Sequence, residues 1–288
     1  MKRNKAATPP TPATAPARAT REVGPCPIVF SHGNSFPAGT YRLLFDAWRA
    51  AGHEVHAVEQ FGHDPRFPVT SNWPHLRDEL IEFIETRVGG PALLVGHSLG
   101  GMLSVMAASR RPDLARGIVL LDSPVIAGWR AHGLRVAKAT GLIRRITPGR
   151  VARVRRQHWP SRDAAMAHFG HKAVFARWDP RVLGDYVASV VRQDGPQWSL
   201  GFSREVEARI YETIPHHLAS VLKRHPLQCP LAFIGGRQSV EVRHAGVEAT
   251  RRLAAGRFEW TDGTHLFPME HPELAAKLVL SMIGRLDA

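Results

Sequence analysis

Short apolar runs alternate with longer stretches of helical spacing along most of this chain, the pattern of a parallel sheet covered by helices. The first run, Ile28-Val29-Phe30, stops at Ser31-His32-Gly33-Asn34. Helical spacing follows over residues 41–51, and a second strand over residues 55–58. A loop over residues 60–71 contains Gly62, Pro65 and Pro68. Asn72 is placed to cap a helix with Trp73 and Pro74 in its first turn, and Leu76, Leu80, Ile81, Phe83 and Ile84 give that helix an apolar stripe. Ala92-Leu93-Leu94-Val95 is continuously apolar, as a strand buried on both faces must be. It runs into Gly96-His97-Ser98-Leu99-Gly100-Gly101 and a helix that begins with small residues. Further strands are read over residues 117–121, ending at Asp122, and over residues 231–234 and 258–261. A final helix covers residues 272–285.

Between Ser123 and about Pro226 the strand rhythm disappears. Helical patterns rich in Arg, His and Trp replace it, broken at Pro148-Gly149, Pro160, Pro180, Gly195-Pro196 and Pro215. The reading is therefore an α/β body made of residues 25–127 and 226–288, interrupted by a helical cap over residues 128–225. Residues 1–24, rich in Pro, Ala and Thr, read as a disordered basic tail without the apolar core of a secretory signal. No internal repeat is present.

Composition narrows the partners. Apolar residues make up 44% of the 288, and no run approaches the roughly 18–20 residues of a membrane span. Cys26 and Cys229 each precede a proline at the start of an apolar run; they read as buried thiols at strand entrances, which favours a reducing, cytoplasmic location. The net charge of +13 is unevenly spread: residues 128–225 hold 18 basic and 7 acidic side chains, and the tail holds 5 and 1. Such a field attracts anions. Without aromatic interleaving or a nucleic-acid motif it argues against nucleic acid. An arginine-rich solvated surface or weak binding to an anionic surface remains.

Gly96-His97-Ser98-Leu99-Gly100 fits G-x-S-x-G between a strand and a helix. A serine hydroxyl becomes accessible at a tight strand-to-helix turn, and small neighbours let the chain pack around that strain. The helix N-terminus also brings N–H groups and a positive dipole end to developing negative charge. Ser98 is the candidate nucleophile.

With that motif, the sequence resembles the α/β-hydrolase superfamily over roughly residues 25–286. Ser31-His32-Gly33-Asn34 is similar to the family's His-Gly oxyanion loop, which implies backbone donors at Asn34 and at Leu99, the residue after the nucleophile. Gly263-Thr264-His265 and Met269-Glu270-His271-Pro272 resemble the family's terminal histidine loop and the helix start after it. His265 then matches the base, and an imidazole suits that task because it titrates near neutrality. His271 belongs to the helix entry. His168 and His171 form H-x-x-H without further ligands, so no metal or cofactor is expected.

The acid is open. Where many family members carry Asp after the seventh strand, Leu231-Ala232-Phe233-Ile234-Gly235-Gly236-Arg237-Gln238-Ser239 presents Ser239. Asp122, at the tip of the preceding strand, and Glu241, two residues past Ser239, are the alternatives. A strand-tip Asp on a short side chain is the better preorganised of the two. Asp122 also suits a turn before Ser123-Pro124.

The resemblance implies a mostly parallel sheet of about six strands, because the two strands that usually precede the His-Gly strand have no counterpart in the tail. It implies a serine hydrolase that cleaves an ester-like bond, carboxylic ester or thioester, in a small molecule with an apolar acyl group. Carbon–carbon bond hydrolysis and non-catalytic ligand binding are the other readings. Ser98 followed by Leu99 argues against dehalogenation and epoxide hydrolysis, which use a carboxylate nucleophile in this family. Trp129, Trp159, Phe169, Phe175, Trp178, Tyr186, Trp198, Phe202 and Tyr211 supply aromatic surface to the cap, most of it for packing.

Overall fold

A computed structural model describes residues 26–286; the tail read over residues 1–24 lies outside them. Six strands form one parallel sheet: β1 (Ile28–Ser31), β2 (Val55–Ala57), β3 (Ala92–His97), β4 (Ala115–Leu121), β8 (Leu231–Gly236) and β9 (Phe258–Thr261), in the order β2-β1-β3-β4-β8-β9. Among the described residues no strand precedes β1.

The continuous apolar runs are explained by the period-two geometry of a strand between two helical layers. Ile28 and Phe30 of β1, Leu93 and Val95 of β3, and Val119 and Leu121 of β4 point to one core. That core is covered by α1 (Arg42–Ala50) and α14 (Pro272–Leu286). Val29, Leu94, Ile118 and Leu120 point to the other, against α2 (Pro74–Arg87), α3 (Leu99–Arg110) and α12 (Glu248–Ala254).

The chain leaves β1 for the edge strand β2 and returns across β1 to β3, so the loops after β1 and β3 depart toward opposite faces. They part at the carboxyl ends of the strands, where doubly wound sheets bind ligands. Both motif loops, at His32-Gly33 and at Ser98, end there.

The cap of Asn72 is not formed. Asn72 and Trp73 both take positive φ, 66° and 57°, and α2 starts at Pro74 without a side-chain cap. The Asn72 amide oxygen instead accepts from Lys138 Nζ (3.1 Å) and the His216 N–H (3.2 Å), so a tertiary contact has outbid the local one.

The segment between β4 and β8 is not wholly helical. Alongside α4 (Gly128–Ala139), α5 (Ile143–Ile146), α6 (Gly149–Arg153), α7 (Arg162–Gly170), α8 (Pro180–Val190), α9 (Arg204–Glu212) and α10 (Leu218–Arg224) it carries a three-stranded antiparallel sheet. Its strands are β5 (His158–Trp159), β6 (Val191–Asp194) and β7 (Gln197–Leu200). Gly195-Pro196, read as a helix break, is the two-residue turn of the β6–β7 hairpin, with Gly195 at φ 59°. Most of the segment's aromatic residues are buried, and Trp129 is exposed. Cys26 and Cys229 do precede β1 and β8, half-buried rather than buried.

Phe30 is fully buried against the rings of Tyr41, Phe45 and Trp48. Phe30→Ala is expected to lower unfolding free energy by about 3–5 kcal/mol, measured by urea denaturation, with a loss under about 1 kcal/mol contradicting this packing.

Candidate active site

Ser98 alone makes the turn from β3 to α3, at φ 53° and ψ −115°. The backbone around it is too close for side chains. A Cβ on Gly96 would lie 2.4 Å from the Gly100 carbonyl carbon, and one on Gly100 would lie 1.9 Å from the Ser31 carbonyl oxygen. The Gly100 N–H donates to the His32 carbonyl (3.1 Å), which ties the start of α3 to the loop after β1. Ser123 Oγ donates to the Ser98 carbonyl at 2.6 Å, in space that a side chain on Gly101 would occupy.

The structure brings Ser98, His265 and Asp122 together. Ser98 Oγ is 3.0 Å from His265 Nε2, and His265 Nδ1 is 2.6 Å from Asp122 Oδ2. These partners set the tautomer: Nδ1–H donates to the carboxylate and Nε2 accepts from the hydroxyl. Asp122 is 1% exposed and φ 48° turns it back at the end of β4. Its Oδ1 accepts the Gly236 N–H (2.7 Å), and Oδ2 also accepts from Ser239 Oγ (2.6 Å). Ser239 thus stands at the usual acid position and orients an acid supplied from the neighbouring strand, while its Oγ caps α11 (Val240–Ala245) by accepting the Val242 N–H. Glu241 is exposed; its carboxylate lies 3.5 Å from Ser239 Oγ and has no hydrogen bond to the imidazole among the described residues.

Burial alone opposes a charged His265, but the hydrogen bond and negative charge of Asp122, with a further contribution from Glu241, outweigh it and hold the imidazole above its ordinary 6.5.

The backbone N–H groups of Asn34 and Leu99 donate to no other group among the described residues. They are unspent donors on the two loops that flank Ser98. The Asn34 side chain is engaged, donating to the Glu207 carbonyl on α9 (3.0 Å). Ser35 donates to the Glu207 carboxylate, which Arg155 also holds at 2.6 Å. Burial is the main influence on Glu207 and raises its pKa, against the opposing pull of Arg155 and Ser35.

Sequence reasoning passed over a relay that joins the loop after β1 to the loop of His265. The Gly33 N–H donates to Tyr41 Oη (3.1 Å), Tyr41 O–H donates to His97 Nδ1 (2.7 Å), and His97 Nε2–H donates to the His265 carbonyl (2.9 Å). Burial pushes His97 down to about 3, so the ring stays neutral and can both accept and donate. His32 is likewise neutral, pushed down to about 4 by burial, and its Nε2 accepts the Phe61 N–H at 3.0 Å. The one sequence signal for His97 was its place inside G-x-S-x-G. Glu270, at the end of α13 (Phe267–Glu270), secures the residue before His265, accepting the N–H (2.9 Å) and the hydroxyl (2.6 Å) of Thr264.

Residues 28–278 match the alpha/beta hydrolase family. The 2-(acetamidomethylene)succinate hydrolase of Mesorhizobium japonicum is 41% identical over 107 residues, 35% of this chain and 37% of that protein. A protein of Oryza sativa subsp. indica named as a probable esterase is 30% identical over 125 residues, 42% of this chain and 46% of that one. The chain thus aligns with less than half the length of these curated relatives. The crystal structure of E-2-(acetamidomethylene)succinate hydrolase superposes with a TM-score of 0.70 at 22% identity, covering 90% of this chain and 91% of that one.

The electrostatics are testable without substrate. In Asp122→Asn burial loses its main opponent, so the His265 ring, followed by NMR titration, is expected to titrate lower than in the wild type, whereas Glu241→Gln shifts it only slightly. An unchanged His265 titration in Asp122→Asn would contradict this account.

Proposed function

The chain belongs to the alpha/beta hydrolase family, and from that premise we propose that it is a serine hydrolase cleaving an ester-like bond through an acyl-enzyme. The observation that carries the reading is the unbroken hydrogen-bonded line from Ser98 Oγ through His265 to Asp122. Ser98 Oγ attacks the acyl carbon while His265 Nε2 takes its proton. The charge of Asp122 stabilises the imidazolium, which then protonates the leaving alcohol or thiol. The Asn34 and Leu99 N–H groups, unspent elsewhere, receive the tetrahedral oxyanion, and loss of one such donor typically costs about 100–1,000-fold. Water, activated by the same imidazole, releases the acid. In this reading residues 128–225 act as a cap, and Phe36, its ring centroid 5.5 Å from that of Trp178 in that segment, offers apolar surface to the acyl chain.

The raised imidazole pKa gives the pH dependence its sign. The base works only when neutral, so kcat/KM rises with pH through an apparent pKa above 6.5.

A fluorophosphonate probe is expected to label the wild type and to leave Ser98→Ala unmodified, and Ser98→Ala to hydrolyse p-nitrophenyl acetate at least about 10³-fold more slowly. Asp122→Asn is expected to lose about 10⁴-fold in kcat, and Glu241→Gln little. A folded wild type that neither reacts with the probe nor hydrolyses short oxygen esters or thioesters would overturn the reading in favour of ligand binding.

A further inference from the structure

Residues 123–162 contain ten Lys or Arg and no Asp or Glu. Within this stretch lie six of the nine large apolar side chains that are exposed among the described residues: Trp129, Val136, Leu142, Ile146, Val151 and Val154. Trp129 and Val154 are 76% exposed, Val151 66% and Ile146 61%, so these side chains are surrendered to water rather than grazing it. Their spacing is helical. Trp129 and Val136 are seven apart on α4, Leu142 and Ile146 four apart at α5, and Val151 and Val154 three apart at α6, so each pair shares a helix face. The three helices follow one another in the chain, α4 touching α5 and α5 touching α6.

Neither hydrolysis at Ser98 nor packing uses this surface. Apolar side chains interleaved with cations are the composition of an element that lies in a lipid headgroup layer, with Trp at the interface and Arg or Lys at the phosphates. The charge side is equally one-signed. On α4, α10 and α12 together the only carboxylate is Glu248, which Arg130 takes at 3.7 Å. Beside α4 opens a cleft of about 740 Å³, lined by His132, Arg135, His216, His217, Lys223 and Arg252, and by no acidic residue. Lys138, behind it, is held by four neutral acceptors, and burial lowers it to about 8.

We propose that the face formed by α4, α5 and α6 docks the protein on an anionic lipid surface, with Trp129, Ile146, Val151 and Val154 entering the interface and the surrounding arginines pairing with lipid phosphates. Charge complementarity selects this occupant: an apolar face alone would suit a second copy of the chain, but of the ten cations only Arg130, Arg144, Arg153 and Arg155 meet a carboxylate (Glu248, Glu212 and Glu207) among the described residues, and the other six make two copies repel. Each lysine or arginine near such a surface strengthens binding, and the attraction weakens as salt shortens its range.

The test is flotation of the full-length protein with vesicles of phosphatidylcholine alone or with about 30% phosphatidylserine, at about 0.1 M and about 0.5 M NaCl. Binding is expected to the anionic vesicles at low salt, with little to the neutral ones and a marked loss at high salt. The variant W129S/I146S/V151S/V154S changes only exposed side chains and should keep the wild-type thermal unfolding midpoint while losing at least about tenfold in partitioning. R145Q/R150Q should weaken binding to anionic vesicles alone. No flotation of the wild type at low salt would overturn the proposal. So would quadruple-variant binding equal to wild type, which would leave a purely electrostatic attraction, or a wild-type dimer that the quadruple variant converts to monomer.

Discussion

A serine rests at φ 53° only where the chain may fold back on itself without side chains in the way, and everything at this site follows from how that room is made. Gly96 and Gly100 bring β3 and α3 within contact distance of each other, and Gly100 also lies against the Ser31 carbonyl of β1. The same closeness that strains Ser98 therefore sets the spacing between the Ser98 turn and the loop that carries Asn34. The strain is maintained by surroundings that over-determine it, the general condition for keeping a residue in a sparsely populated conformation.

Asp122 meets His265 through an analogous economy on the neighbouring strands. β4 and β8 lie side by side, so the tip of either one can offer a carboxylate to an imidazole arriving from β9. Here β4 offers it, and β8 answers with two donors, the Gly236 N–H and the Ser239 hydroxyl. Three donors converge on a carboxylate shut away from water, which offsets the cost of burying its charge and leaves that charge directed at the imidazole.

The sheet was legible because its strands are apolar on both faces, and Ser98 and His265 stood out because each carries a local pattern around it. What was not legible depends on neighbours in space. Asp122 and Ser239 are 117 residues apart, and no local pattern says that one supports the other or decides between Asp122 and Glu241. Asn72 looks like a cap until Lys138 and His216 compete for its oxygen. β6 and β7 are four residues each, with Arg192, Gln193 and Asp194 exposed, too short and polar to display alternation against a helical background. No sequence pattern links Tyr41 to His97, and only their hydrogen bonds reveal a connection between the two loops.

The buried contact of Glu207 with Ser35, closed over by Arg155, has a mechanical consequence. Lifting α9 off the first loop would break the Asn34 and Ser35 hydrogen bonds to Glu207 while Arg155, in the same inserted segment, stays with the carboxylate, so a buried carboxylate would lose one of its donors at a cost of about 1–3 kcal/mol. Those two bonds tie α9 to the Asn34 loop and favour their moving together. A displacement of the inserted segment that leaves this clasp closed keeps both donors on Glu207 and is the less costly one.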